Sequence, residues 1–116
     1  MKYIKEFKIF ESNDIITELN YSIENLTQLP ELPNSLEILY CKYNKLTELP
    51  ELPNSLNYLN CSNNNLTELK FNEYKPLSLK IFYGYYNKLP YKNIDELKKW
   101  HKENYSMAYE IEKFNL

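Results

Sequence analysis

Apolar and polar positions alternate in a pattern that recurs along the central part of the chain. Residues 26–49 and 46–69 agree at 17 of 24 positions when the first segment is shifted by 20 residues. The shared framework is L-x-x-L-x-C-x-x-N-x-L-T-x-L-P-x-L-P-N-S. One copy comprises Leu36, Leu39, Cys41, Asn44, Leu46 and Leu49, and the next comprises Leu56, Leu59, Cys61, Asn64, Leu66 and Leu69. Such self-similarity indicates that one supersecondary unit is used several times in succession.

Two diverged copies flank this pair. The copy on the C-terminal side comes 23 residues later and comprises Leu79, Phe82, Gly84, Asn87 and Leu89. The copy on the N-terminal side comprises Ile16, Leu19, Tyr21, Leu26 and Leu29, and has Glu24 at the position of the asparagine. A divergent terminal copy is typical of a repeat array. The sequence therefore predicts four units, which start near residues 16, 36, 56 and 79.

Each unit contains a segment with the periodicity of a β-strand. Leu39 and Cys41 alternate with Ile38, Tyr40 and Lys42, which is the period-2 pattern of a strand. One such strand cannot bury its apolar face alone, whereas parallel strands stacked about 4.8 Å apart can do so together. We therefore expect two buried columns of side chains: Leu19, Leu39, Leu59 and Phe82, and Leu26, Leu46, Leu66 and Leu89.

The asparagines and prolines predict the remainder of each unit. An amide both donates and accepts, so Asn44, Asn64 and Asn87 suit an inward hydrogen-bond ladder better than a polar binding strip. Prolines exclude helix and favour extended backbone on the far side: Pro30, Pro33, Pro50 and Pro53. The third unit gains three residues between Lys70 and Ser78, where we expect a bulged turn with Phe71 or Tyr74 inward.

The framework L-x-x-L-x-(C/L)-x-x-N-x-L resembles the leucine-rich repeat, and the 20-residue period with L-P-x-L-P resembles its short LPX class. That class occurs in bacterial secreted effectors and in repeat proteins of large DNA viruses. The resemblance covers residues 16–91. It implies an α/β fold of one domain, namely a short solenoid with parallel strands on its concave face, a helix-poor convex side and helical caps at both ends.

The two ends of the chain have helical patterns that suit such caps. Residues 1–15 form an amphipathic segment that we interpret as the N-terminal cap, with a membrane-surface or sorting element as the alternative. Residues 92–116 include Asn93 and Glu96 in a capping-box-like spacing and predict a helical C-terminal cap with a bend or break near Ser106. Its core-facing positions are Leu97, Trp100, Met107, Ala108, Ile111 and Phe114, and His101 is expected on the solvated face.

Composition and charge narrow the function classes. A chain of 116 residues with formal net charge −2 favours one domain and gives no support to a nucleic-acid partner. Its single glycine excludes a Gly-rich phosphate loop. No apolar run approaches the roughly 18 residues of a membrane-spanning helix, and the N-terminal residues lack a signal-peptide pattern. We therefore expect no transmembrane segment and a cytoplasmic location in the producing or infected cell.

Candidate catalytic and metal-binding residues are scarce. Cys41 and Cys61 occupy equivalent framework positions and are expected to be buried free thiols. A single histidine is too few for a metal set or a convincing nucleophile–base pair. The LPX effectors that this chain resembles often carry a ubiquitin-ligase domain with a nucleophilic cysteine, and residues 92–116 contain no cysteine. We expect no catalytic residues, no metal, no cofactor and no enzymatic activity.

The strand positions that flank the buried leucines carry the candidate binding residues. They are rich in tyrosine and asparagine: Ile38, Tyr40, Lys42, Tyr58, Asn60, Ile81, Tyr83 and Tyr85. Tyrosine offers a large, stiff contact area with a polar tip and is enriched in interfaces. We therefore predict a protein- or peptide-binding module. The alternative is a structural, particle-associated or self-associating protein that is attached through the N-terminal amphipathic segment.

Overall fold

The computed structural model describes residues 15–114, with side chains described to residue 110. It has a small α/β fold with four short strands followed by two helices. The strands are β1 (Glu18–Asn20), β2 (Ile38–Tyr40), β3 (Tyr58–Asn60) and β4 (Ile81–Tyr83), and the helices are α1 (Ile94–Asn104) and α2 (Ser106–Phe114). Apart from Ile15, the predicted N-terminal cap lies outside the described residues.

The four strands form one parallel sheet in chain order. The register pairs Leu19 with Leu39, Leu39 with Leu59, and Leu59 with Phe82. The central residue of every strand is buried and its two neighbours are exposed or half-buried. The predicted parallel sheet and its first buried column are therefore confirmed. In the second column Leu46, Leu66 and Leu89 are buried and Leu26 is half-buried.

The path between strands repeats from one unit to the next. The backbone N–H groups that follow β1, β2 and β3 donate to carbonyls of the next unit: Tyr21 to Tyr40 (2.7 Å), Cys41 to Asn60 (2.9 Å) and Cys61 to Tyr83 (2.9 Å). Residues 21–80 contain no helix, in keeping with the prolines there. Equivalent residues thus occupy equivalent places in successive units.

Asparagine side chains join each turn to the turn before it. The Asn64 Nδ2 donates to the carbonyls of Cys41 and Cys61, both at 3.0 Å, while its Oδ1 accepts from the Leu46 N–H at 3.0 Å. Asn44 and Asn87 make the same set of contacts in their own units. All three side chains are therefore occupied by backbone groups.

A second ladder is built by serines that sequence analysis had given no role. The hydroxyl of Ser35 donates to the Ile16 carbonyl at 2.7 Å, and that of Ser78 donates to the Leu56 carbonyl at 2.7 Å. Ser55 makes the equivalent bond to the Leu36 carbonyl. These bonds satisfy backbone carbonyls that precede a strand. The asparagine side chains satisfy backbone N–H and carbonyl groups that follow a strand.

The two cysteines are free and buried, as predicted. Burial raises the pKa of the Cys41 thiol well above its ordinary value and raises the pKa of Cys61 to about 12. Both thiols are therefore neutral at physiological pH and pack as small apolar groups.

The C-terminal segment covers the last strand. The Gly84 N–H donates to the Lys92 carbonyl at 3.0 Å, and Tyr83 forms an antiparallel bridge with Asn93. Asn93 then begins α1, since its side chain accepts from the Glu96 N–H at 3.0 Å. The edge of β4 is thus paired rather than open. Helix α1 ends at Asn104, so the predicted break near Ser106 is confirmed.

Two expectations about this helical segment were wrong. His101 was expected on the solvated face, but it is 1% exposed. The break turns α2 back on α1, which brings the Tyr109 hydroxyl within 3.0 Å of His101 Nδ1, and the Phe71 ring packs edge-on at 5.0 Å. Met107 was expected in the core and is exposed instead.

The other aromatic predictions for this region hold in part. Trp100 is half-buried, with its ring 5.0 Å from that of Tyr91. Phe71 packs against the core, whereas Tyr74, the other candidate for the inward position, is exposed. The inserted Lys70–Ser78 segment therefore contacts the helices in two places. Phe71 packs against His101 of α1, and the Leu77 N–H donates to the Tyr109 hydroxyl of α2 at 3.4 Å.

Candidate functional site

The exposed side of the sheet carries the candidate binding residues. In each strand the residues before and after the buried centre project to this side, because side chains alternate along a strand. We call these eight residues the strand face: Glu18, Asn20, Ile38, Tyr40, Tyr58, Asn60, Ile81 and Tyr83. Ile81 and Tyr83 are exposed, and the four residues from β2 and β3 are half-buried.

Three tyrosines on neighbouring strands pack against one another across the strand face. The ring centroids of Tyr40 and Tyr58 are 5.1 Å apart, and those of Tyr58 and Tyr83 are 6.0 Å apart. The register places Tyr58 opposite Ile38 and Ile81, so both aromatic contacts run diagonally between strands. Burial, and then the nearby Tyr40, raise the pKa of Tyr58, while a hydrogen bond with Asn60 opposes that rise. The three rings form one continuous aromatic patch.

The patch continues into a depression at the C-terminal ends of the strands. This tyrosine-lined depression has a volume of about 310 Å³. Its lining consists of four tyrosines and four polar residues: Tyr43, Tyr83, Tyr85, Tyr86, Lys42, Asn60, Ser62 and Asn63. The rings of Tyr43 and Tyr86 are 52% and 77% exposed. A mainly aromatic surface with Lys42 as its single charged residue suits contact with another molecule more than chemistry on it.

The residue after each strand turn has a left-handed backbone. Ile23, Tyr43, Asn63 and Tyr86 occupy equivalent positions in the four units and have φ of 58–59°. Asparagine tolerates this region, but a β-branched or bulky side chain there is strained by about 1–2 kcal/mol. Tyr43 and Tyr86 therefore hold exposed rings at a repeat position where an asparagine, as at Asn63, has less backbone strain.

Two polar groups of the depression can only donate hydrogen bonds. The Asn60 Oδ1 accepts from the Ser62 N–H at 3.2 Å, which leaves the amide Nδ2 as a donor beside the Tyr58 hydroxyl. The second such group is the ammonium of Lys42. The Lys42 Nζ lies 5.9 Å from the centre of the Tyr43 ring. Within residues 15–110 the one salt bridge joins Lys70 to Glu48, so Lys42 has no acidic partner there.

The structure brings the predicted binding residues to one side of the sheet. Ile38, Tyr40, Tyr58, Asn60, Ile81 and Tyr83 belong to the strand face, and Lys42 and Tyr85 extend it into the depression. The sequence places Tyr43, Asn63 and Tyr86 just beyond these positions, but they were not among the predicted binding residues. The structure adds all three to the lining of the depression.

The described residues hold neither a cluster of metal ligands nor a membrane-spanning helix. Within the part of the chain that the structure describes, three or more histidine, cysteine or acidic side chains nowhere gather as metal ligands would. No helix among residues 15–114 has both the length and the apolar character needed to cross a membrane. The small cavity beside His101 has a volume of about 10 Å³, which is close to the smallest space that one water molecule can occupy.

Similarity to known proteins provides no additional guide to the site. The geometry of the strand face and of the tyrosine-lined depression is therefore the guide to a function. Comparisons with models of protein families, with curated proteins and with solved structures found no match to this chain.

Proposed function

We propose that residues 16–91 form a short leucine-rich-repeat solenoid of the LPX-like class, with α1 and α2 as its C-terminal cap. The strongest support is the repetition of structure with sequence. Strands 20 to 23 residues apart pair in parallel and in register. The asparagine and serine ladders recur at the same repeat positions. The last unit of a repeat array exposes apolar core at its open end. An element with a polar outer face, here α1 and α2, is needed to cover it.

We further propose that this solenoid is a protein- or peptide-binding module and not an enzyme. The observation that carries this proposal is the continuous aromatic patch of Tyr40, Tyr58 and Tyr83 on the exposed side of the sheet. Tyrosines contribute much of the binding energy in interfaces because they bury large area at low entropic cost. The neutral, buried thiols and the buried His101 make poor nucleophiles and bases, which also favours binding over catalysis.

Replacement of both flanking tyrosines tests this function. A partner is first captured from the native host and identified, and its affinity for the purified chain is then measured by calorimetry. The double variant Tyr40→Ala with Tyr83→Ala should weaken binding by more than about 2 kcal/mol, which is roughly 30-fold in Kd. Tyr74→Ala is the matched control, since it removes an exposed tyrosine that lies outside the strand face.

Circular dichroism and thermal melting establish that both variants remain folded. Unchanged affinity of the folded double variant would reject the strand face as the binding surface. If affinity is unchanged and deletion of residues 1–12 abolishes the association, the alternative of attachment through the N-terminal segment is correct.

A further inference from the structure

The tyrosine-lined depression has a hydrogen-bonding character that constrains its ligand. The backbone N–H of Ser62 fixes the orientation of the Asn60 amide, because an N–H can only donate and must meet the Oδ1. The Asn60 Nδ2 is therefore a donor, and it is shared between the Tyr58 hydroxyl and a ligand. Lys42 adds an ammonium group, which is also a donor only. Ser62, Asn63 and the tyrosine hydroxyls can donate or accept, so Asn60 and Lys42 are the two groups that favour acceptors on the ligand.

The walls of the depression add a requirement for flat apolar groups. Tyr43, Tyr83 and Tyr86 carry exposed aromatic rings beside the polar side chains of the lining. A polyproline-type segment meets both requirements, since its proline rings pack on aromatic side chains. Its carbonyls are free of internal hydrogen bonds and its prolines have no N–H groups to satisfy.

Charge adds one further feature of the ligand. Lys42 is the one charged residue that lines the depression, and it lies at 5.9 Å from the Tyr43 ring without an acidic partner in the described residues. A carboxylate on the ligand would pair with it in a partly desolvated setting. The complementary ligand is therefore acidic at the end that meets Lys42.

The two exposed rings are not required by the backbone turn that carries them. Tyr43 and Tyr86 have φ of 58° and 59°, in the left-handed region that Ile23 and Asn63 also occupy at the equivalent repeat position. The position itself does not need an aromatic side chain to fold, because Asn63 serves there.

We infer that the tyrosine-lined depression binds an extended, proline-containing peptide segment that carries an acidic side chain next to Lys42. The inference rests on the proposed binding function and specifies its ligand. The rings of Tyr43 and Tyr86 hold the prolines from two sides, and the Asn60 amide donates to a carbonyl of the peptide. The tyrosines of the strand face extend the contact for a longer partner.

The experiment uses the full chain and a fluorescent synthetic peptide in which aspartates flank a short run of prolines. Binding is measured by fluorescence anisotropy, and the site is mapped by changes in the side-chain amide signals of Asn60 and Asn63 in ¹H–¹⁵N spectra. We expect saturable binding that is at least ~10-fold weaker for the double variant Tyr43→Asn with Tyr86→Asn. This variant should melt no lower than the parent chain, because it removes backbone strain.

Matched peptides and variants separate the contributions. Replacement of the prolines by alanines should abolish binding, and replacement of the aspartates by lysines should weaken it. Lys42→Gln should remove the preference for aspartates over lysines and leave the preference for proline.

Three results would overturn the inference. The first is absence of binding by the proline peptide when the host partner still binds through Tyr40 and Tyr83, which leaves the proposed function intact. The second is binding that the asparagine double variant does not change. The third is displacement of the peptide by a competitor that binds the same tyrosines more tightly than the peptide does, either a neutral oligosaccharide or a second copy of the chain.

Discussion

Position 84 illustrates how single residues adapt to the repeat. Phe82 is the one aromatic residue in a column of leucines, and Gly84 stands where the neighbouring units have Cys41 and Cys61. A Cβ atom on Gly84 would lie 2.9 Å from Cε2 of the Phe82 ring and closer still to its Cζ atom. The glycine therefore makes room for the larger ring, and the two substitutions compensate each other.

This compensation leads to a prediction for a double-mutant cycle. Gly84→Cys restores the repeat residue but overpacks the ring of Phe82, so we expect the free energy of unfolding to fall by about 1–3 kcal/mol. When Phe82→Leu accompanies it, the unit matches its neighbours, and the coupling between the two sites should recover about 1 kcal/mol or more. Urea denaturation of the two single variants and the double variant measures the cycle. Strictly additive effects would contradict the account.

The junction between the helices and the inserted segment shows how elements depend on one another. His101 of α1 contacts Tyr109 of α2 and Phe71 of the insertion. Because the Tyr109 hydroxyl accepts from the Leu77 N–H, its own proton can be donated to a neutral His101 Nδ1. Protonation of His101 would remove that acceptor and place a charge among aromatic rings.

The junction therefore predicts a dependence of stability on pH. Burial lowers the pKa of His101 in the folded chain below its ordinary value of 6.5. The unfolded chain then binds the proton more readily, so this contribution to stability is complete above that pH and is lost as the pH falls through it. Thermal melting between about pH 7 and pH 5 should show a steeper decline for the parent chain than for His101→Gln. Equal declines would show that His101 does not contribute to the pH dependence.

The elements that could be predicted follow from the sequence of each unit itself. Those that could not be predicted depend on contacts with residues far away in the chain. The strands and their buried column follow from a repeat that is visible in the spacing of Leu39 and Leu59. The burial of His101 was missed because it depends on the turn at Tyr105 and on an insertion about 30 residues earlier in the chain. Its charged neighbours indicated a solvated face, although one face of the helix packs inward.

The position of the proposed binding surface was predictable from the sequence, whereas its detail was not. Strand alternation places Tyr40 and Tyr83 on the exposed side, and the structure agrees. The left-handed backbone at Tyr43 and Tyr86 could not be derived from those residues, which disfavour it. Asn63 was the one residue of the four with a propensity for that conformation.

At the scale of the whole molecule, each unit supplies one wall for the next. Leu39 packs between Leu19 and Leu59 in the sheet, and β4 is closed by the segment that leads into α1. The exposed side of the sheet is then a by-product of stacking, because every added strand presents two more side chains to the same side. The strand face and the depression therefore depend on the parallel stacking of the units.

The most direct test of this stacking is the detection of scalar couplings across individual backbone hydrogen bonds by NMR. Parallel stacking predicts two couplings from an amide nitrogen to a carbonyl carbon. One joins Cys41 N to the Asn60 carbonyl carbon, and the other joins Cys61 N to the Tyr83 carbonyl carbon. Both pairs join equivalent residues of adjacent units in the same direction. Absence of both couplings in the folded chain, or couplings that pair these strands antiparallel, would contradict the parallel stack and the proposed binding face that depends on it.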